Sequence, residues 1–331
     1  MRKKFITVLA MGSLSLLLAA CGDGKTKADE QVIIYSNADD EAIAVIEDIL
    51  EDSKYKNDYI LQPIGTSELG GKMLAEGTAI EADIVTMSSY YIDSAQQQNN
   101  MFIKLPSSQK PLDPYSEVQI PLLGNMGSIF VNTELLKEKS LDMPKTIKDL
   151  TEPQYRNLVS IPNVMDSSTG WLLIQAIIAE YGETEGKQIL ADLLENVGPH
   201  LESSGSGPIK KVQTGEVAVG FGLRTQAVDA KKNGLPIDNI DPLEGNYTLV
   251  ESIAVVDKKD DEKEALAAEI AQYIAEEARS GIIEYYPVPI FEDEAIDEQY
   301  IPARLKRWKS TLTVDLLQQH QAFFKEALGG Q

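Results

Sequence analysis

Short clusters of hydroxyl and amide side chains recur along the chain, at the ends of predicted strands and the starts of predicted helices. In open α/β sheets, ligands bind beyond the carboxyl ends of the strands, and helix N-termini offer free N–H groups to anions. Ser and Thr are also ordinary helix N-caps, which explains any single cluster without a ligand. Five clusters together predict an anion-accepting cleft. They are Ser36 and Asn37; Thr66 and Ser67; Ser88 and Ser89; Ser167, Ser168 and Thr169; and Ser204, Gly205 and Ser206.

Arg224 and Glu251 are the charged candidates for this cleft. Arg224 comes just after the predicted strand 217–221, and its guanidinium group matches the geometry of phosphate, phosphonate or carboxylate. An ion pair with a nearby carboxylate explains Arg224 equally well on so acidic a chain. Glu251 lies in the predicted strand 247–256, which begins with a further candidate, Tyr247. Glu251 would meet an ammonium group of a zwitterionic ligand or pair with Arg224.

Residues that commonly carry enzymatic catalysis are scarce in this sequence. The two histidines, His200 and His320, have no partner at metal-ligand spacing, and Cys21 is the single cysteine. The H-E-x-x-H and G-x-S-x-G motifs are absent. The sequence therefore predicts a binding protein with no catalytic residue, no metal and no cofactor. A hydrolase that uses some of the many carboxylates is the alternative.

The elements that would position these residues alternate in type. Strands are predicted at 32–36, 59–62 and 83–87 with helical segments between them, which is the rhythm of a parallel α/β sheet. The proline-rich segment 106–121 precedes a second unit of the same kind. Its strands are predicted at 127–133, 158–161, 217–221 and 247–256, and its helices at 171–181 and 185–194, followed by an acidic helix at 261–279. A chain of 331 residues is long enough for two lobes.

Charge and the first residues of the chain indicate its location. The 30 Lys and Arg against 52 Asp and Glu give a net charge of −22, which disfavours nucleic acid as a partner. A basic start, the apolar run 5–18 and the sequence Leu18-Ala19-Ala20-Cys21 resemble the signal and lipobox of a bacterial lipoprotein. We expect a signal peptide over 1–20, a lipid on Cys21, a tether over 21–31 and a position on the outer face of the cytoplasmic membrane. A plain secretory signal is the alternative.

A series of segments then carries a more specific resemblance. The segments are Asn132-Thr133-Glu134-Leu135-Leu136, Asp166-Ser167-Ser168-Thr169-Gly170-Trp171, Ser204-Gly205-Ser206, and Val212-Gln213-Thr214-Gly215-Glu216-Val217-Ala218-Val219-Gly220. This series resembles the family 1 extracellular solute-binding proteins of ABC importers. The resemblance implies a monomer with a two-lobed periplasmic-binding-protein-like α/β fold of type II, and an ABC permease as its partner. Lobe 1 would comprise 32–126 and 250–331, lobe 2 would comprise 127–249, and the ligand would lie between lobes joined by crossing strands.

The same resemblance bears on the ligand. The iron branch of the family carries adjacent tyrosines where this sequence reads Gly222-Leu223-Arg224-Thr225. Tyr285 and Tyr286 form a pair elsewhere, in a region that the resemblance assigns to structure. A polyamine site would need several carboxylates and aromatic walls, whereas the clusters here are hydroxyl and amide groups. We therefore predict a small anionic solute, an organophosphonate such as an aminoalkylphosphonate or a phosphate ester, with ferric iron and polyamines as alternatives.

Overall fold

A computed structural model of the protein describes residues 31–329. The predicted signal peptide, Cys21 and the predicted tether up to residue 30 lie outside this range. The strands are β1 (Val32–Ser36), β2 (Tyr59–Pro63), β3 (Ile84–Ser88), β4 (Ile120–Asn132), β5 (Val159–Pro162), β6 (Leu201–Glu202), β7 (Val219–Leu223), β8 (Ile237–Ile240), β9 (Asn246–Val255) and β10 (Leu305–Lys306). The helices are α1 (Asp40–Glu51), α2 (Thr66–Glu76), α3 (Ser89–Asn99), α4 (Thr133–Lys139), α5 (Ser168–Val197), α6 (Gly207–Gln213), α7 (Arg224–Lys232), α8 (Asp261–Tyr285) and α9 (Val314–Gly329).

These strands form one mixed sheet with the order β2-β1-β3-β9-β4-β7-β5-β6, and β8 and β10 pair with β4 and β9. Its two ends are parallel, because β1 pairs with β2 and β3 on one side and β5 pairs with β6 and β7 on the other. The long strands β4 and β9 pair antiparallel between these ends. The parallel ends agree with the alternation of strands and helices in the sequence, and the antiparallel centre joins them.

The centre of the sheet is buried along its length. All thirteen residues of β4 are buried, and they include the glycines Gly124 and Gly127. A Cβ atom on Gly124 would lie 2.7 Å from Cγ1 of Val288, and one on Gly127 would lie 2.7 Å from Cζ of Phe221. Both glycines therefore allow neighbouring segments to pack directly against the central strand.

Several element boundaries differ from those expected from the sequence. Strand β4 begins at Ile120, inside the stretch predicted as a loop, and it contains Pro121 where the pairing with β9 is irregular. The two helices predicted at 171–181 and 185–194 form the single element α5, which is interrupted at Gly182 with φ 70°. Arg224 begins α7 rather than ending a strand.

The last helix packs on the part of the chain that the prediction assigned to lobe 2. Trp171 in α5 donates a hydrogen bond from Nε1 to Nδ1 of His320 in α9, at 2.8 Å, and both side chains are buried. Trp171 thus packs inside the protein and does not line the cavity described below. The lobe boundaries, including the assignment of 250–331 to lobe 1, stay predictions. No helix within the described range is long and apolar enough to cross a membrane.

Candidate functional site

A polar cavity of about 260 Å³ lies beside the central strands. Segments from distant parts of the chain form its walls: the turn after β1, the loop before α2, the middle of β4 and β9, the start of α5, the loop before α6 and the end of α8. The lining residues are Asn37, Ala38, Asp39, Pro63, Ile64, Gly65, Thr66, Leu123, Asn125, Asp166, Ser167, Ser168, Thr169, Ser203, Ser204, Gly205, Glu251 and Tyr286.

The structure brings eight of the sequence-predicted site residues together in this cavity. They are Asn37, Thr66, Ser167, Ser168, Thr169, Ser204, Gly205 and Glu251. The other predicted residues lie outside its lining. Ser36 and Thr86 join β1 to β3 through their hydroxyl groups at 2.6 Å, and Ser89 joins Ser252 at 2.7 Å. Ser36 and Ser89 therefore hold the strand ends in place instead of facing the cavity.

Four more of the predicted site residues lie away from the cavity. Ser67 donates to the carbonyl oxygen of Met165, and Ser88 is buried at the end of β3. Ser206 faces a neighbouring cavity of about 310 Å³. Tyr247 is buried, and its ring centroid lies 6.4 Å from that of Trp308. None of these four residues lines the cavity described above, so their predicted contact with a ligand is not supported by this geometry.

Arg224 requires the clearest correction. Its side chain is buried, and its Nε donates to Oδ1 of Asp241 at 2.7 Å. Its terminal nitrogens donate to the carbonyl oxygens of Gln299, Tyr300 and Ile301 at 3.3, 3.0 and 3.5 Å. The donors of the guanidinium group are thus used in hydrogen bonds to Asp241 and to the 299–301 segment. This is expected, because a buried charge must be paired and hydrogen-bonded. The ion-pair alternative for Arg224 is the one that the structure supports, although the partner is Asp241 and not Glu251.

The floor of the cavity is formed by a carboxyl group and two amides. Glu251 is only 3% exposed, and its Oε1 accepts hydrogen bonds from Nδ2 of Asn37 and of Asn125, each at 3.2 Å. Both amides direct their NH₂ groups at Glu251, which leaves their buried Oδ1 atoms without a partner within the described residues. Burial first, and then the nearby Asp39, raise the pKa of Glu251 to about 8. The floor therefore presents acceptors and lacks a cation.

A second carboxylate stands beside this floor. Asp39 is the N-cap residue of α1, but its side chain makes no capping hydrogen bond. Burial, followed by the adjacent Glu41 and Asp40, raises the pKa of Asp39 to about 6, and Lys210 opposes this shift. The hydroxyl group of Tyr286 is buried without a partner in the described part of the chain, and burial raises its pKa well above the usual value. These groups make the Glu251 side of the cavity acidic.

The wall at the start of α5 carries hydroxyl groups together with the carboxylate of Asp166. Ser167 caps α5 by accepting a hydrogen bond from the Thr169 N–H at 3.3 Å. The hydroxyl groups of Ser168 and Thr169 make no hydrogen bond to other described residues, and both side chains line the cavity. A Cβ atom on Gly205 would lie 2.4 Å from Oγ1 of Thr169, so the loop before α6 rests directly on the start of α5. This wall offers hydroxyl donors and a helix N-terminus, which suit an anionic group.

Asp39, Asn125, Asp166, Ser203 and Tyr286 line the cavity without having been predicted. The position of Asp39 in the sequence could have indicated a site residue, since it follows the first predicted strand and suits the N-cap of the next helix. Tyr286 was assigned to structure together with Tyr285, but only Tyr285 lies outside the cavity, with 45% of its surface exposed. The lining contains no Lys, Arg or His. Within residues 31–329, no group of three or more His, Cys, Asp or Glu is arranged to hold a metal ion.

Comparison with known proteins identifies the class of molecule. Residues 75–310 match the family described as bacterial extracellular solute-binding protein. An uncharacterized protein of Haemophilus influenzae is 31% identical over 116 residues, which are 35% of this chain and 33% of that protein. The spermidine/putrescine-binding periplasmic protein of Salmonella typhimurium is 25% identical over 193 residues, which are 52% of this chain and 53% of that protein. The chain thus spans about a third to a half of the length of these relatives.

Solved structures confirm the predicted α/β periplasmic-binding-protein fold. The periplasmic binding protein AfuA from Actinobacillus pleuropneumoniae, with exogenous fructose-6-phosphate bound, superposes with a TM-score of 0.72 at 16% sequence identity. The match covers 91% of this chain and 97% of that structure. The family match also confirms that the chain is a binding protein and not an enzyme.

Proposed function

We propose a ligand and a mode of action for this chain from the premise that it belongs to the bacterial extracellular solute-binding proteins. It captures a small zwitterionic organophosphonate, such as an aminoalkylphosphonate, and delivers it to an ABC permease. The observation that carries this proposal is the chemical difference between the two sides of one small cavity. Acceptors without a cation form the Glu251 side, and hydroxyl groups with a helix N-terminus form the other.

The acidic side suits an ammonium group. An ammonium group is a donor of three hydrogen bonds and accepts none. Glu251, Asp39, Asn37 and Asn125 all line this cavity, and the Oδ1 atoms of both amides have no partner among the described residues. A cation there would give the two carboxyl groups the positive partner that the lining lacks.

The hydroxyl side suits a phosphonate group. Three phosphonate oxygens offer acceptors in different directions, so they can bind the hydroxyl groups of Ser168 and Thr169 together with those of Ser203 and Ser204. The positive end of the dipole of α5, which begins at Ser168, would favour the negative charge. A phosphate ester without an amine is a poorer candidate than the zwitterion, because it would leave the acidic side of the cavity unsatisfied.

A polyamine is the second candidate, and two observations favour it. Asp39, Asp166 and Glu251 line the cavity, and the Salmonella relative is a spermidine/putrescine-binding protein. The hydroxyl wall at the start of α5 argues for the zwitterion, since a second ammonium group would face a helix N-terminus. Ferric iron finds less support, because Tyr285 lies outside the cavity and Tyr286 is the only tyrosine in its lining.

Capture would proceed by closure of two lobes around the solute. The hydrogen bond from Ser67 at the start of α2 to the carbonyl oxygen of Met165 joins segments on the two sides of the cavity, which supports a closed arrangement.

The proposal also includes a lipid on Cys21 and a position on the outer face of the cytoplasmic membrane. A Cys21→Ser variant that still incorporates labelled fatty acid would contradict that anchor.

The ligand is tested by calorimetric titration of the purified protein with 2-aminoethylphosphonate, ethylphosphonate, putrescine and fructose 6-phosphate. We expect 2-aminoethylphosphonate to bind tightest, and the compounds lacking either charged group to bind about a hundredfold more weakly, since each group makes charge-assisted hydrogen bonds. Ser168→Ala should weaken the two phosphonates about tenfold and leave putrescine unchanged, with the exposed Ser108→Ala as the control. Tighter binding of putrescine than of 2-aminoethylphosphonate would favour the polyamine candidate instead.

A further inference from the structure

The charge around Glu251 is unbalanced among the described residues. The ionisable groups that face it are Asp39 before α1, Tyr90 on α3 and Tyr286 after α8, with Glu41 and Asp40 beyond Asp39. Asp166, before α5, adds a further carboxylate to the lining. Lys210 acts on Asp39 but is absent from the lining. A buried carboxyl group next to a second carboxylate, with no cation among its neighbours, is destabilised in its charged form.

Three other carboxylates that are buried or partly buried in the described part of the chain have a cation beside them, whereas the buried Glu244 accepts hydrogen bonds from the Tyr181 hydroxyl group and the Lys148 N–H. Asp83 is paired with Nζ of Lys263 at 2.9 Å. Glu294 accepts from Nε of Arg279 at 2.5 Å, and Asp241 accepts from Arg224. Glu251 has only the neutral amides of Asn37 and Asn125, both on Oε1, while its Oε2 makes no hydrogen bond to a described residue. A proton on Oε2 is the simplest way to neutralise this carboxyl group when no ligand is bound.

We propose that the unoccupied protein holds Glu251 as the neutral carboxylic acid, and that an arriving ammonium group replaces this proton, so that capture of the solute releases one proton to solvent. The inference rests on the proposed function, because it requires a ligand with an ammonium group. One positive charge leaves as the other enters, so the net charge on the Glu251 side of the cavity is unchanged. The raised pKa of Glu251, about 8, supports a carboxyl group that is mostly protonated at pH 7.

The exchange predicts how affinity depends on pH. Below pH 8 the ligand must displace a proton, so affinity should rise about tenfold per pH unit between pH 6 and pH 7 and level off above pH 8. An alcohol in place of the ammonium group behaves differently. It can accept a hydrogen bond from the protonated carboxyl group, so no proton needs to leave.

The test uses wild-type protein and two probes, 2-aminoethylphosphonate and 2-hydroxyethylphosphonate. Calorimetric titrations at pH 7 in buffers of different ionisation enthalpy give the number of protons released per ligand bound. We expect 2-aminoethylphosphonate to release ~0.9 protons more than the alcohol, the protonated fraction of a carboxyl group with the pKa given above. The two phosphonate groups differ in pKa, because an ammonium substituent lowers it more than a hydroxyl does, so the phosphonate contribution is taken from the same pair of titrations on Glu251→Gln and subtracted.

Glu251→Gln should show only this phosphonate contribution, because glutamine resembles the protonated carboxyl group and has no proton to give up. The exposed Glu47→Gln on α1 is the matched control and should keep the difference. The same difference between the probes in wild type and in Glu251→Gln would overturn this inference and leave the proposed ligand intact. Failure of 2-aminoethylphosphonate to bind would overturn the proposed function, and the inference with it.

Discussion

Two buried charged side chains near the centre of this molecule have opposite surroundings. Arg224 directs its nitrogens at the Asp241 carboxylate and at three carbonyl oxygens of the 299–301 segment. Glu251 meets two neutral amides and a second acidic group, and the amide oxygens beside it have no partner in the described residues. Arg224 satisfies the rule that buried charges are paired, whereas Glu251 would break it if it were ionised without a ligand.

The difference separates residues that hold the fold from residues that await a ligand. A fully paired guanidinium group has no capacity left for a solute, whatever its chemistry suggests. An acidic floor with orphaned acceptors lowers the stability of the unoccupied protein, and such a cost is common at binding sites, where a ligand offsets it. Whether a charged group already has partners within the protein is therefore a better guide to its function here than the type of residue.

The largest effect should come from removing the paired charge. Arg224→Ala leaves Asp241 without its partner, so we expect the free energy of unfolding to fall by about 3–5 kcal/mol, measured by urea denaturation. The protein that remains folded should bind 2-aminoethylphosphonate as wild type does. Arg156→Ala is the control, because its ion pair with Glu195 is exposed and should contribute less than about 1 kcal/mol. Loss of binding with unchanged stability would show that Arg224 contacts the ligand and does not serve the fold.

Glu251→Gln should have the opposite effect on the unliganded protein. The pKa of Glu251 is about 8 in the folded protein, against an ordinary value of 4.5, so the unfolded chain loses this proton first as pH rises. Between pH 5 and pH 7 the wild type should lose about 2–3 kcal/mol of stability from this group. The variant should lack this loss, as measured by denaturation at both pH values with Glu47→Gln as the control. If the free energy of unfolding depended on pH in the same way in wild type and in Glu251→Gln, Glu251 would not be a buried carboxyl group without a cationic partner.

Much of the fold was predictable because it follows from local patterns. The alternation of β-branched runs and amphipathic helices indicated the parallel ends of the sheet, and the hydroxyl cluster at Ser167 marked the start of α5. Strand β4 was missed at its beginning because Pro121 reads as a loop residue. In the structure, Pro121 lies where the pairing with β9 is irregular.

The site was only partly predictable, because its remaining residues are brought together by long-range pairing. Asn125 reaches Glu251 through the register of β4 with β9, in which Leu123 lies opposite Glu251. No local pattern gives that register. Arg224 was placed in the site because the sequence shows neither Asp241 nor the 299–301 carbonyl groups as its neighbours. Residue type predicted the chemistry available, and tertiary contacts decided which groups were free to use it.

A smaller effect is expected on the hydroxyl side of the cavity. Gly205→Ala places a Cβ atom 2.4 Å from Oγ1 and 3.1 Å from Cβ of Thr169, so the loop before α6 must shift. We expect both 2-aminoethylphosphonate and ethylphosphonate to bind about tenfold more weakly, or 1–2 kcal/mol, while putrescine is unaffected. Gly71→Ala on α2 is the control, since its added Cβ meets no atom within 4 Å. An equal loss for putrescine would show that the two sides of the cavity are not separate in function.

The smallest effect should come from the contact that joins the two sides. Ser67→Ala removes the hydrogen bond to the carbonyl oxygen of Met165, which should be worth about 1 kcal/mol in the closed protein. If that bond forms on closure, the variant should release 2-aminoethylphosphonate about fivefold faster, with association unchanged, in stopped-flow measurements. Ser280→Ala is the control, because Ser280 donates within its own helix to the carbonyl oxygen of Glu277. A Ser67→Ala variant that loses stability without ligand, and keeps its dissociation rate, would make this bond part of the fold, in the same class as the Arg224 pair.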